Sequence, residues 1–229
     1  VSTPTPSVVR AAADVACAMR SGDEGVDRAA LAVPFGDSVV RYADPFDRVT
    51  YAELFAKALG FEASDHARAV SEARSRGLKT TGDNGVDLDP LLVVNELFEE
   101  VAERSIDPAK PTWIMDYPAA LSPLTRPKKD DPSIAERADL FVGHMEIGPH
   151  YTELNDPDIQ AEKFREQLAG IDDEEQTFRT FDQDFIDALK TGMPPAGGMG
   201  LGIDRLAMLM TSQRTIRDVV LFPMMRPLA

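Results

Sequence analysis

Apolar residues recur at three- and four-residue intervals through much of the first hundred positions, then give way to short runs bounded by Pro and Gly. Val8, Ala12, Val15 and Met19 space a helix over 8–20 that Ser21 and Gly22 close. Thr50, with Glu53 three residues on, has the form of a capping box and predicts a helix to about Leu59. Residues 64–76 and 90–104 carry further helical periods, the second with Leu91, Val94, Leu97, Phe98 and Val101 along one face. Between them, 79–85 is polar and turn-rich. After Pro111 the period changes. Residues 112–117 read as a strand ended by Pro118, 137–154 as strand, tight turn and strand, and 157–169 and 182–191 as helices on either side of an acidic linker. A Gly-rich stretch then leads into an apolar helix from Asp204 to about Met210, and a last apolar run, 219–222, stops at Pro223. Helices first and a hairpin-rich sheet later predict an α+β fold. Residues 1–110 form its mostly helical part and 111–229 its sheet-bearing part.

Composition narrows the function classes. With 24 Lys and Arg against 39 Asp and Glu in 229 residues, the formal charge is −15. A surface that coats DNA or RNA draws its affinity from clustered cations, and this chain has the opposite balance. The same argument excludes docking on an anionic membrane, and no apolar run approaches the roughly 20 residues that span a bilayer. The single cysteine, Cys17, allows neither an internal disulfide framework nor a cysteine metal cage, which fits a reducing, cytoplasmic setting. The densest basic cluster is Arg126, Lys128 and Lys129, in a loop.

Three groups of residues carry candidate chemistry. A two-residue turn at Val142 and Gly143 would set Asp139 directly opposite Glu146. Like charges opposed across a ladder repel unless a cation lies between them, and two carboxylates with substrate phosphates are the usual way to hold Mg²⁺. The alternative is two solvated carboxylates on an exposed face. Glu153 follows Glu146 by seven residues, an odd spacing that turns it to the other face unless Gly148 and Pro149 break or bulge the strand. Three acids on one surface suit an amine; surface charge is the plainer reading. In the third group, Gly198, Gly200 and Gly202 precede a helix whose first turn holds Arg205. The glycines let backbone approach a ligand closely. A cation at the positive end of the helix dipole points to an anion that it meets. Neither the dinucleotide fingerprint nor a Walker loop is present. Trp113, Cys17 and the methionines Met208, Met210, Met224 and Met225 read as packing residues, the run 172–175 as a solvated linker, and His66, His144 and His150 as too scattered for a metal set.

These segments resemble a known family. GMGLGIDRLAMLMTSQRTIRDVVLFPMMRP (198–227) is similar to motif 3 of class II lysyl-tRNA synthetases, ADLFVGHMEIGPHYTELNDP (138–157) to that family's strand pair, and PTWIMDYPAALSPL (111–124) to the segment before it. YADPFDRVTYAELF (42–55) resembles the link into the family's helical insertion. The resemblance implies the C-terminal part of the class II catalytic core, an antiparallel sheet flanked by helices, present in part and with a helical insertion. It further implies that Asp139 and Glu146 bind Mg²⁺ and that Glu153 recognises the lysine ε-amine. Arg205 would grip the ATP γ-phosphate, and Gly198, Gly200 and Gly202 would line the ATP and lysine pocket with Pro149 and Tyr151. Catalysis would then rest on Arg205, Glu146 and positioning, without a protein nucleophile.

Departures from the family pattern matter as much. Where the family reads Arg-Glu-Ile-Gly-Asn-Gly-Phe, this chain has Met145-Glu146-Ile147-Gly148-Pro149-His150-Tyr151. Pro149 removes an amide from the pocket, His150 adds bulk, and Tyr151 keeps an aromatic wall. Lys190 stands where Glu is common, and the string 189–194 also resembles lysyltransferase paralogues that modify elongation factor P; 122–124 and the Leu-Phe-Pro…Arg-Pro ending favour the synthetase. A binding module that kept the pocket and lost turnover is the third reading. No counterpart of motif 1, of motif 2 or of the anticodon-binding domain is found. The chain is therefore expected to be a C-terminal fragment, inactive alone, of a homodimeric enzyme that meets tRNA(Lys) through its upstream regions.

Overall fold

The computed structural model describes residues 31–82, 85–168 and 181–223. The helix expected over 8–20, with Cys17, and the run 172–175, Met224 and Met225 lie outside the described residues. Two strands, β1 (Ala32–Phe35) and β2 (Ser38–Arg41), form an antiparallel hairpin. A five-stranded sheet has the order β3-β4-β5-β6-β7, made of β3 (Asp47–Thr50), β4 (Thr112–Met115), β5 (Arg137–Val142), β6 (Met145–Thr152) and β7 (Gly197–Met199). Helices α1 (Tyr51–Leu59), α2 (His66–Ser75), α3 (Pro90–Leu97), α4 (Pro157–Leu168), α5 (Gln183–Lys190) and α6 (Ile203–Thr211) complete the α+β fold. The chain divides into two compact units, Val1–Ile114 with Asp139–Gly148 and Leu201–Ala229, and Met115–Ala138 with Pro149–Gly200.

In the first unit the capping box forms as the spacing predicts: Glu53 N–H donates to Thr50 Oγ1, and Thr50 N–H donates to Glu53 Oε2. This fixes the start of α1, and Gly60 ends it in the left-handed conformation at φ 76°. Tyr51 then stacks on Phe98 with ring centroids 3.9 Å apart. The helix expected over 90–104 is α3 continued by a π-helical segment, Phe98–Ala102, and a 3₁₀ turn, Glu103–Ser105. Val40, Val142, Ile147 and Leu209 make a buried cluster against which Phe35, Tyr42, Leu140 and Met145 pack. The strands at 32–50 amend the helical reading of the first hundred residues. Trp113 is half-buried rather than a core residue, while Met208 is buried.

In the second unit, Tyr117, Ala119, Ala135, Leu154 and Ala161 are buried with Ile186 and Leu189 of α5. Phe164 of α4 meets Phe185 of α5 with centroids 5.8 Å apart. Asp182 caps α5 by accepting from Phe185 N–H at 2.8 Å, and Gln160 ties α4 to the preceding loop by donating to Pro123 O at 3.1 Å.

Candidate active-site residues

The first group sits around the β5–β6 turn. Gly143 and His144 both have positive φ, 59° and 63°, the signature of a two-residue type I′ hairpin. The turn is one residue later than 142–143, and this corrects the expected register. Val142 then faces Met145 and Phe141 faces Glu146, so Asp139 is diagonal to Glu146 rather than directly opposite it. Gly143 is required twice over, since a Cβ there would come 2.7 Å from the Phe35 ring. The later turn still keeps both acids on one face. Leu140, Val142, Met145 and Ile147 meet Leu209 on the other, and period-two alternation turns Asp139, Phe141 and Glu146 away from it.

On that face, a cavity of about 690 Å³ is lined by Phe141 and Glu146 of the hairpin, by Glu99, Glu100 and Glu103 of the helical segment, and by Arg205. Asp139 is only 1% exposed. Burial pushes the Glu103 carboxyl up to about 7, and the negative charges of Glu99, Glu146 and Asp139 push in the same direction. Acids from two elements therefore converge. Arg205, in the first turn of α6, donates from Nη1 to the backbone oxygen of Glu146 at 2.6 Å, while Arg104 pairs with Glu100 at 2.7 Å. Glu99, Glu100 and Glu103 were missed by sequence reasoning. Their signal was the spacing of Glu99 and Glu103, like charges one helical turn apart, which an isolated helix disfavours.

This donor set fits Mg²⁺. Hard carboxylate oxygens, crowded enough to disfavour a further negative charge, are what a divalent cation relieves. Among the described residues no group of three or more His, Cys, Asp or Glu is arranged to hold a metal ion.

The second group lies in the other unit, beside β7. The β6–β7 ladder pairs His150 with Met199, Tyr151 with Gly198 and Thr152 with Gly197. Gly200 N–H donates to Pro149 O at 2.9 Å in the same register, so Pro149 introduces no bulge on this side, and β6 runs unbroken through Gly148 and Pro149. Gly200 has its own reason to be glycine, because a Cβ there would lie 3.2 Å from the Pro149 ring. Past the strand end, Glu153 N–H donates to Ala196 O at 3.0 Å. The Glu153 carboxylate lies across Gly198, with Oε1 1.7 Å from where a Cβ of that residue would be.

A cavity of about 640 Å³ adjoins these residues, with Tyr151, Gly198, Met199, His150 and Arg137 in its wall. The Arg137 guanidinium stands 4.2 Å from the Tyr117 ring centroid and 5.6 Å from that of Tyr151. Lys128 donates to Asp116 at 2.6 Å, with Asp116 at φ 63°, and Arg126 donates to Glu136 at 2.8 Å. Burial opposes the charge of Glu136 most, but the hydrogen bonds from Thr152 and Arg126 outweigh it and hold the carboxyl below its ordinary range. Two of the three cations in the basic cluster thus serve acids of their own loop. No ion pair engages the Glu153 side chain among the described residues.

No helix among the described residues is long and apolar enough to cross a membrane. The family model of the tRNA synthetases class II (D, K and N) matches residues 11–226. A lysine–tRNA ligase of Cronobacter sakazakii is 39% identical over 199 residues, covering 85% of this chain and 38% of that protein. One of Enterobacter sp. is 41% identical over 203 residues, covering 85% and 38%. One of Pseudomonas putida is 41% identical over 203 residues, covering 86% and 39%. The chain thus spans well under half the length of the curated relatives it matches.

Proposed function

We infer, for a chain that belongs to the class II tRNA synthetases (D, K and N), that it is the C-terminal part of the catalytic domain of a lysine–tRNA ligase. The whole protein would activate lysine with ATP and pass it to tRNA(Lys), as a cytoplasmic homodimer. The observation that carries this reading is the pairing of two features. One is an acid-lined cavity that holds Glu146 and Arg205; the other is a carboxylate, Glu153, in no ion pair among the described residues, which lies across Gly198 where that residue and Tyr151 line a second cavity. Similarity to lysine–tRNA ligases across the matched region supports it.

The roles follow from the chemistry of the side chains. Asp139 and Glu146 would hold Mg²⁺, which when bound offsets phosphate charge. Arg205, fixed to the Glu146 backbone, presents its remaining N–H donors to the γ-phosphate. Glu153 takes the lysine ε-ammonium while Tyr151 packs on the aliphatic stem, with Gly200 and Gly202 leaving room for substrate against bare backbone. The lysine carboxylate then attacks the α-phosphorus, the bond from that phosphorus to the bridging oxygen breaks, and pyrophosphate leaves. No side chain forms a covalent bond, so the acceleration comes from positioning and electrostatics.

The test is ATP–pyrophosphate exchange by the whole protein. Exchange should require lysine and Mg²⁺, and Glu153→Gln should raise the KM for lysine about 100-fold, as loss of a charged hydrogen-bonding partner does, while the KM for ATP stays within about twofold. Exchange that ignores lysine overturns the reading. Transfer of labelled lysine to elongation factor P rather than tRNA would assign the chain to the paralogues that Lys190 resembles.

A further inference from the structure

Gly198 stands out among the glycines of this region because what it accommodates is a functional side chain. Gly200 clears the Pro149 ring and Gly143 the Phe35 ring, both rigid groups. Gly198 instead clears the end of Glu153, with Oε1 at 1.7 Å and Cδ at 2.9 Å from the position of an added Cβ. No atom pair survives at 1.7 Å without a bond, so any residue but glycine moves that carboxylate. The backbone around it is fixed: Tyr151 pairs with Gly198, Glu153 N–H is tied to Ala196 O at 3.0 Å, and Leu154 N–H to Leu124 O at 3.0 Å. The strand cannot yield, and the side chain must.

We propose that Gly198 is a positioning residue for amine recognition, whose missing Cβ lets the Glu153 carboxylate lie flat on β7 against Gly198, itself a wall residue of the cavity. This rests on the reading of Glu153 as the acid that meets the lysine ammonium, and it adds a second determinant to that specificity. Gly198 touches no reacting atom; it acts through Glu153 alone. The backbone of Gly198 is not in the left-handed region, so alanine is conformationally allowed there, and the group it displaces is the free end of a flexible side chain. Gly198→Ala should therefore fold and lose lysine rather than lose structure.

A double-mutant cycle in the whole protein tests this, read by pyrophosphate exchange at varied lysine and varied ATP. Gly198→Ala is expected to raise the KM for lysine at least tenfold and leave the KM for ATP within twofold. Added to Glu153→Gln, the same change is expected to raise the KM for lysine less than twofold further, because the carboxylate it acts on is gone. An equal rise in both backgrounds overturns the proposal, as does an unchanged lysine KM in Gly198→Ala when Glu153→Gln raises it. If Glu153→Gln itself changes nothing, the reading of Glu153 has failed first. Glu153→Asp gives a check that leaves the strand untouched: it withdraws the carboxylate from Gly198 by one methylene and should show the same lysine-selective loss. A normal lysine KM in Glu153→Asp overturns the proposal whether or not Gly198→Ala folds.

Discussion

Around the β5–β6 turn, acids from the hairpin and a helix crowd one cavity, and the arginine beside them is bonded to a backbone carbonyl. In the cavity beside β7, each lining acid has a cation of its own, Lys128 for Asp116 and Arg126 for Glu136. The first arrangement is left with excess negative charge and suits a ligand that brings a divalent cation. The acids that line the second are neutralised from within, so that Glu153, which lies across the wall residue Gly198 and is in no ion pair among the described residues, is the charge left to choose among ligands. A net charge of −15 says nothing of this division. Charge excess and charge selection are built separately.

The largest test of that contrast is to remove one acid of the crowded cavity. Glu146→Gln is expected to lower the kcat of exchange on the order of a thousandfold, since a misplaced metal forfeits several kcal/mol of phosphate charge stabilisation. The KM for lysine should change far less, and raised Mg²⁺ should recover part of the loss. Titrating exchange against Mg²⁺ and lysine in parallel separates the two. A loss that falls on lysine binding instead would erase the distinction between the cavities.

Glu103 offers a second, smaller test. Its folded pKa of about 7 lies above the unfolded 4.5, so the folded state holds this proton more tightly. The associated stability is complete below pH 4.5 and is lost as pH rises through 7. Glu103→Gln should therefore melt with the wild type near pH 4.5 and above it at pH 8. The carboxyl is half-exposed, which reduces the effect to about 1 kcal/mol, or roughly 2–4 °C. Mg²⁺ should narrow the gap at pH 8. Melting curves at both pH values, with and without Mg²⁺, check this, and a gap that widens with Mg²⁺ would place the cation elsewhere.

The sequence announced the elements whose signals are local. The Thr50–Glu53 box, the α3 period and the helix after the glycines all form within a few residues of their expected bounds. The β5–β6 turn slipped by one because Gly143 fits either choice; the deciding fact is that His144 takes φ 63°, a conformation that His enters more readily than the β-branched Val142 would. Strand β7 was hidden for another reason, since Gly197 and Gly198 have no β propensity and are held by pairing with β6. The hairpin of β1 and β2 had a usable sign in Gly36 and Asp37 that helical expectations overrode. At the site, spacing raised Asp139, Glu146 and Arg205 as candidates, and resemblance rather than spacing supplied their roles. The spacing of Glu99 and Glu103 marked Glu103, but not its role, which depends on acids some forty residues away in sequence, brought near only by the fold.

The smallest expected effect tests whether the crowded cavity depends on its scaffold. Thr50→Ala removes the side-chain half of the α1 capping box, the bond from Glu53 N–H at 3.2 Å, together with the hydroxyl's bond to Glu53 Oε2 at 2.9 Å, and leaves the backbone bond from residue 50 N–H to Glu53 Oε2. Losing a cap costs about 1 kcal/mol, or roughly 2–4 °C for a domain of this size. Because α1 reaches the acid-bearing segment through the Tyr51–Phe98 stack, a loosened α1 has a direct route to Glu99 and Glu103. Tyr51 is the first residue of α1, next to the cap, but both rings of the stack are buried, so packing rather than the cap should hold it in place when the first turn loosens. Melting should therefore fall while the Mg²⁺ dependence of exchange and both KM values hold. A shifted Mg²⁺ dependence in Thr50→Ala would mean that the acids are held in place by the helical region as a whole, and the contrast between the cavities would then include rigidity as well as charge.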